Sequence, residues 1–381
     1  MRFFYNIVLW IPLYLIMESS IITAQSFSEP FKIEKDSITP EIKYFKYIYN
    51  EAPWSINVAE VNLSTGGISV SAVKSNELAS GGREKLSSMA ERKGENVVAG
   101  INGDFFQPSG EVVSNHIFDG MIVKGIKSRK SQIAFSSSNE PFIDIFEFLG
   151  FINKNNTDTL PIHAVNFQIG TDSIVIYNKF WNAPFKNSSD LMTLSLKALD
   201  SIVINRAFRV VINNSFEYAK SSNELILAAS GKYAKIFKNL IAESDTLMMS
   251  FAFNHSPETI KELVGGLPQI LDDSIIVVDS RLSIEGASEK FSVTRHPRTA
   301  IGYNKDKSKL YLVTVDGRQK SSAGMTLKEL SEFMLYIGCY DALNLDGGGS
   351  TTMIIKDKIV NSPSDLFGER KIGNGLLILT N

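Results

Sequence analysis

Cysteine is almost missing from this chain. Cys339 is the one thiol in 381 residues, so no internal disulfide can staple the fold. It sits between the end of an amphipathic segment and an apolar strand and reads as a small core residue, not a nucleophile. Histidine is scarce as well. His116, His163, His255 and His296 share no ligand spacing, which argues against zinc, and each reads as a hydrogen-bonded structural histidine. No charge of one sign dominates: 39 Lys+Arg against 41 Asp+Glu leave a net charge of -2, and no long basic run exists. The electrostatic footprint of a nucleic-acid or anionic-membrane partner is therefore lacking. Also missing are a Gly-x-Ser-x-Gly elbow, a dinucleotide fingerprint and an EF-hand loop. A calcium site built from aspartates stays open, with the metal itself unassigned. With no low-complexity linker and no fixed-period repeat, one continuous domain is the simplest division.

What is present begins with an address. Arg2 precedes an apolar run from Phe3 to Met17, followed by Ser19, Ser20 and the small-residue site Ile22-Thr23-Ala24; together these are the three regions of a secretory signal peptide. Pro12 and an apolar run shorter than the roughly 20 residues of a spanning helix oppose a retained anchor. The expected division is a signal peptide over 1–24, a loosely packed lead-in over 25–45 and a folded domain over 46–381. Export to the periplasm or the medium follows, with no stable membrane span after cleavage.

Short strand-like segments then dominate. Trp54 to Val61 and Ile68 to Val73 alternate apolar and polar residues as half-buried strands do, and Val97 to Ile101, Gln132 to Phe135, Ile174 to Tyr177, Arg209 to Ile212, Leu225 to Ala228 and Leu310 to Val315 read as further strands. Helices are expected over Lys85 to Lys93, Lys232 to Ala242 and from Leu327, where Thr326 and Glu329 form a capping box ahead of the stripe Leu327, Leu330, Met334, Ile337. Many strands with few helices predict an α+β fold of mixed or antiparallel β-sheets with a few packed helices.

One stretch stands out, Asn344-Leu345-Asp346-Gly347-Gly348-Gly349-Ser350-Thr351. It reads as strand, glycine turn, strand. Three glycines without side chains let backbone approach a ligand closely, and a carboxylate on one side with hydroxyls on the other suits a sugar or a phosphate. The alternative is a glycine-rich hairpin with a capping aspartate. It is not a phosphate-binding loop, because no Gly-Lys-Ser/Thr ending follows. Other polar groups stand at predicted strand ends: Asn102 and Asp104 after Ile101, Arg298 before a strand, Asp316 and Arg318 after one, and Asp365, Glu369 and Arg370 near the C-terminus. Strand termini are where sites are built, although ordinary turns collect the same residues. For Asp104 the two readings, turn cap or ligand contact, are evenly matched.

In order, Asn102-Gly103-Asp104-Phe105-Phe106, Gly265-Gly266-Leu267-Pro268, His296-Pro297-Arg298-Thr299-Ala300-Ile301-Gly302, Asp316-Gly317-Arg318, Ser322 to Leu327 and Asn344 to Thr351 resemble the phosphodiester glycosidase family, the uncovering-enzyme-like domain also found in exported bacterial proteins. Pro363-Ser364-Asp365 fits too. The resemblance runs from about residue 50 to the C-terminus and is weakest between about 138 and 260. It implies hydrolysis of a sugar-1-phosphodiester or phosphorylated glycan, freeing the sugar and leaving a phosphomonoester. On that footing Arg298 first and Arg318 second are expected to hold the phosphate. Asp346 and Asp316, then Asp104, are the carboxylates expected at the anomeric carbon. Gly347, Gly348, Gly349, Ser350 and Thr351 would line the ligand, with Asn102, Asn344 and Asp365 around it. No cofactor is required on this reading. The rival reading from another class is a non-catalytic exported glycan-binding or envelope polysaccharide assembly protein.

Overall fold

The computed structural model describes residues 31–154, 158–183, 190–213, 217–240, 246–256 and 259–381. The expected signal peptide lies outside them. Among the described residues the strands form four sheets. The first runs Lys32–Ser37, Ile42–Tyr49, Trp54–Asn62, Lys309–Val315, Arg298–Tyr303, Asp341–Asn344, Gln269–Asp272, Ile275–Ile276, antiparallel throughout. A second, stacked on it, runs Lys358–Ile359, Met353–Ile355, Val97–Asn102, Asn374–Thr380, Ile68–Lys74.

The side-chain period of two explains the stacking. In Trp54–Asn62 the even positions Trp54, Ile56 and Val58 enter one core, and Ala59 and Val61 enter the other. Lys309–Val315 divides the same way, with Tyr311, Val313 and Val315 on one side and Leu310 and Leu312 on the other. A strand apolar on both faces must be covered on both. The outer face is covered by the helices Val278–Glu285 and Leu327–Tyr336, which contribute Leu282, Leu327, Leu330 and Phe333. The inner face packs on Val70, Ala72, Ile101, Met353 and Ile378 of the stacked sheet. The helix Leu86–Lys93 then covers that sheet's far side through Leu86 and Met89 against Leu377 and Leu379. The result is helix, sheet, sheet, helix.

A five-stranded sheet (Met121–Lys124, His116–Phe118, Ile260–Gly265, Gln132–Ser136, Pro141–Asp144) links this body to a distal eight-stranded sheet built from strands between Phe148 and Phe253. They share one core, in which Ile117, Ile122 and Leu263 meet Phe148, Phe208 and Phe251. The distal sheet contains a parallel pair, Ala164–Val165 with Ile174–Tyr177. The α+β expectation of mostly antiparallel sheets with a few helices holds.

The helix from Leu327 begins as expected: Thr326 accepts from the Glu329 N–H at 3.1 Å and Glu329 accepts from the Thr326 N–H at 2.9 Å. Its apolar stripe includes Phe333, while Ile337 is the C-cap. Three points differ from expectation. The lead-in is not loose: Lys32–Ser37 pairs with Ile42–Tyr49, and Ile42 is fully buried. The helices Val278–Glu285 and Glu289–Val293 follow no clean period. And the glycine stretch is no hairpin, because Asp341–Asn344 lies in the first sheet and Met353–Ile355 in the stacked one. The glycines carry the chain from one sheet to the other. No helix among the described residues is long and apolar enough to cross a membrane.

Phe333 joins the long helix to the sheet, meeting the Tyr47 ring edge-on at 5.3 Å between centroids while itself fully buried. Phe333→Ala should cost about 3–5 kcal/mol, read as a lower urea midpoint at unchanged slope.

Candidate active site

Where the glycines cross between the sheets a cavity of about 280 Å³ opens. Asp346 stands in its wall, held by its backbone from both sides. Its N–H donates to Gly103 O at 2.9 Å, and its carbonyl accepts from Asn102 Nδ2 at 2.6 Å. The Asn102 Oδ1 in turn accepts from Thr299 Oγ1 at 2.7 Å and from the Thr352 N–H at 3.0 Å. One buried carboxamide thus joins strands of both sheets to the glycine stretch.

Each glycine answers a different steric demand. A Cβ on Gly347 would lie 2.6 Å from Pro297 O. Gly348 takes φ +63 and donates its N–H to the same carbonyl at 2.9 Å. A Cβ on Gly349 would overlap Arg370 Nη2 and Asp365 Oδ1. Those two atoms belong to a two-pronged ion pair, Arg370 Nε to Asp365 Oδ2 at 2.6 Å and Nη2 to Oδ1 at 2.8 Å.

Arg298, Arg318 and Arg370 all line the cavity. Arg298 is the unusual one. It is 1% exposed, and its Nε donates to Met325 O at 2.9 Å while Nη2 donates to Phe291 O at 2.8 Å and Thr294 O at 2.9 Å. The Phe291 ring lies 4.7 Å from its Cζ. Its partners are neutral carbonyls and a ring, and among the described residues no carboxylate pairs with it and Nη1 has no acceptor. Burial lowers its pKa to about 10, so it remains a cation at neutral pH. A buried, charged and unneutralised guanidinium favours an anion beside it. Arg318 is exposed and held at φ +60, with its guanidinium against Gly348.

Burial pushes the Asp346 carboxyl up to about 6, with the Ser350 hydroxyl, the Arg370 charge and the Gly347 N–H pulling it back. His296 also lines the cavity, its pKa lowered by burial and by Arg298 and Arg318, so the imidazole is neutral at pH 7. Phe105 and Phe291 meet edge to face at 6.0 Å and supply the apolar wall.

Of the residues expected at a site, Arg298, Arg318, Asp346 and Gly347 to Gly349 come together here. Asp316 does not line the cavity. Its carboxylate accepts from Ser55 Oγ at 3.0 Å and from the Ser362 N–H at 2.8 Å, fastening the loop after Val360 to the first sheet. Asp104 is buried in the other direction, accepting from the Ser114 N–H at 2.7 Å, its pKa raised by burial to about 7. Asn344 donates to Leu267 O at 2.6 Å and Leu345 O at 3.0 Å. Ser350 and Thr351 are buried beneath the turn, and Asp365 enters through its clamp on Arg370. Sequence reasoning assigned no role to Arg370, and it missed His296, Phe105 and Phe291. His296 adjoins Pro297-Arg298, and that adjacency was the available signal.

Among the described residues one group of carboxylates could hold a cation: Asp272, Asp273 and Asp341 bring ligand atoms within 4.8 Å of one another. It stands at the start of the strand Asp341–Asn344, whose far end leads to Asp346, and Asp272 is already paired with Arg281 at 3.2 Å. It is no part of the cavity.

The phosphodiester glycosidase family model matches residues 203–379. Over those residues the chain is similar to the phosphodiester glycosidase family. The match includes Arg298, Arg318, Asp346 and Arg370, whereas Asn102 and Phe105 come from outside it. Among curated relatives, the N-acetylglucosamine-1-phosphodiester α-N-acetylglucosaminidases of Bos taurus and Homo sapiens are each 32% identical over 111 residues, 27% of this chain and 21% of theirs. An uncharacterised SPbeta prophage-derived protein of Bacillus subtilis is 42% identical over 71 residues, 19% of this chain and 11% of its own. The chain thus spans about a fifth or less of the length of these relatives. The fold reaches further. A hypothetical protein from Synechocystis superposes with a TM-score of 0.69 at 17% identity, covering 93% of this chain and 64% of that one. A Burkholderia pseudomallei protein described as exported gives 0.63 at 21%, covering 86% and 74%.

A carboxylate whose pKa is raised in the folded state weakens the fold wherever it is ionised. Asp346→Asn should therefore raise the melting temperature at pH 7.5. The gain should shrink as pH falls through about 6 and vanish below about pH 4, where the unfolded carboxyl is also protonated. Calorimetry across that range checks it.

Proposed function

We propose that this protein hydrolyses sugar-1-phosphodiesters between the anomeric carbon and the phosphate oxygen. The observation that carries the reading is the pairing, in one cavity, of a single carboxylate, Asp346, with three guanidiniums, of which Arg298 is buried and unneutralised. The matching family model and the names of the mammalian relatives support the same chemistry. The substrate phosphate sits against Arg298, Arg318 and Arg370, where forked donors take two oxygens at once. The sugar lies against Phe105 and Phe291, with its anomeric carbon towards Asp346.

As the bond from C1 to the phosphate oxygen breaks, both electrons leave with the oxygen. Positive charge gathers on C1 and the ring oxygen, facing the ionised Asp346. The arginines meet the charge that gathers on the departing phosphate. Water supplies the hydroxyl that completes the free sugar, its proton passing to the cavity's bases, and the other product is a phosphomonoester. A phosphate monoester is a weak base and leaves without a proton donor. The predicted leader over residues 1–24 supports a site of action outside the cytoplasm.

Incubation with a panel of sugar-1-phosphodiesters should release reducing sugar, with ¹⁸O from labelled water in the sugar; label in the phosphate would mean cleavage on the phosphorus side. Binding without release would instead favour the glycan-binding reading. Asp346→Asn should lower kcat about 1,000-fold or more, and Arg298→Ala about 100- to 1,000-fold. Because the ionised carboxylate is the active form, kcat/KM should rise with pH through about 6, and that limb should be absent in Asp346→Asn. Near-normal turnover by either variant would remove that residue from the mechanism.

A further inference from the structure

The loop from Val360 to Lys371 is fastened at nearly every point. Asn361 Nδ2 donates to Thr351 O at 3.0 Å and its Oδ1 accepts from the Met353 N–H at 2.8 Å. The Ser362 N–H donates to Asp316 at 2.8 Å, and Glu369 accepts from the Ser87 N–H at 2.8 Å and Oγ at 2.5 Å. The clamp between Asp365 and Arg370 spans the tip, which closes as a tight turn: the Gly368 N–H donates to Asp365 O at 2.9 Å, with Gly368 at φ +79. At the centre of that turn stand Leu366, 91% exposed, and Phe367, 93% exposed. The next most exposed large apolar side chain among the described residues is Val293, at 62%.

Turn centres ordinarily take Asn, Asp, Gly, Pro or Ser because these residues satisfy the turn's own backbone. Leucine and phenylalanine do nothing of that kind, and a turn pinned this firmly cannot fold them back onto the protein. Their position supplies the reason. Asp365, directly before Leu366, packs on Gly349, and Arg370, directly across the turn, lines the cavity. The apolar pair therefore rises beside Arg370, which lines the cavity. With the phosphate on the arginines and the sugar on the aromatic wall, the group on the phosphate's other oxygen leaves the cavity over Arg370 and meets this tip.

We propose that Leu366 and Phe367 form a binding site for an apolar aglycone, so that the phosphodiester taken is one joining a sugar to a long-chain alcohol. The assignment rests on the hydrolytic reading for the direction in which the substrate lies. The contact area is that of two large side chains, and a long alkyl chain removes it from water where a methyl group cannot.

Isothermal titration with decyl phosphate and methyl phosphate, the phosphomonoester products of such substrates, reads the aglycone contact without catalysis. The wild-type chain should bind decyl phosphate at least about tenfold more tightly. In the double variant Leu366→Ser/Phe367→Ser that preference should fall to about threefold or less, with an unchanged melting curve. Equal affinities in the wild type, or a preference that survives in the variant, overturn the inference. Cleavage of methyl and decyl hexose-1-phosphodiesters separates it from the reading beneath it. Release of sugar without chain-length preference leaves hydrolysis standing and removes the aglycone site. Chain-length-dependent binding with no release does the reverse. Wild-type protein that pellets with phosphatidylcholine vesicles, loses this in the variant and shows no decyl preference in solution would make the tip a membrane-docking device and overturn the inference.

Discussion

Everything at the site hangs from the Asn102 side chain. It ends a strand of the stacked sheet, and its carboxamide reaches Thr299 in the first sheet, the Asp346 carbonyl and the Thr352 N–H. The geometry needs one donor and one acceptor that takes two bonds, which a carboxamide has and a carboxylate lacks. Because Asn102 is 1% exposed, every bond it makes is formed away from water, where losing a partner costs far more than the bond contributes in solvent. The two sheets are thereby tied to each other through a buried polar group beside Asp346. The glycines follow from this. With the crossing pinned between Pro297 and the Asp365–Arg370 pair, no side chain fits at Gly347 or Gly349.

The charge of the site is local. A chain of net charge -2 gathers three guanidiniums around one cavity against the carboxylates of Asp346 and Asp365. Only Arg370 is paired in the ordinary way. Arg298 gives up solvation for neutral carbonyls, a poor exchange for a resident cation unless an anionic ligand is part of its working environment. Burial, with the charges of Arg298 and Arg318 acting in the same direction, lowers the His296 pKa, while Asp346 titrates high because burial outweighs the Ser350 hydroxyl and the attraction of Arg370.

Much of the fold was legible in the sequence because sheet periodicity is a local property. The alternation in Trp54–Asn62 and Lys309–Val315 and the Thr326–Glu329 capping box each follow from residues a few places apart, whereas the passage of the glycines from one sheet to the other does not. The site was legible only in part. Arg298, Arg318 and Asp346 do meet, but Asp316 and Asp104, which look alike in sequence as aspartates at strand ends, turn to internal partners instead. Whether such an aspartate opens to a cavity depends on what lies across from it: Ser55 is 261 positions from Asp316, and no window of sequence contains both. Arg370 was visible as a guanidinium near the C-terminus, yet its place in the cavity depends on a loop whose fastening to Ser87, Asp316 and Thr351 no local pattern announces. The helix Val278–Glu285 was missed because its buried residues, Val278, Leu282 and Glu285, include a carboxylate, so its apolar stripe is broken.

The removal of Asp316 and Asp104 from the cavity bears on the chemistry proposed. An enzyme that cleaves an ordinary glycoside needs a carboxylic acid to protonate the departing alcohol as well as a carboxylate at the anomeric carbon. Here Asp346 is the one carboxylate among the cavity's lining residues, and the adjacent imidazole, already without its second proton, is a poor acid at neutral pH. An alcohol leaving group would have nothing to take a proton from. A phosphate leaving group needs none and gains from the arginines instead. On the proposed reading, discrimination between phosphodiester and glycoside therefore comes as much from the missing acid as from the phosphate-binding cations. Restoring an acid to the cavity would erode that selectivity even with all three arginines in place.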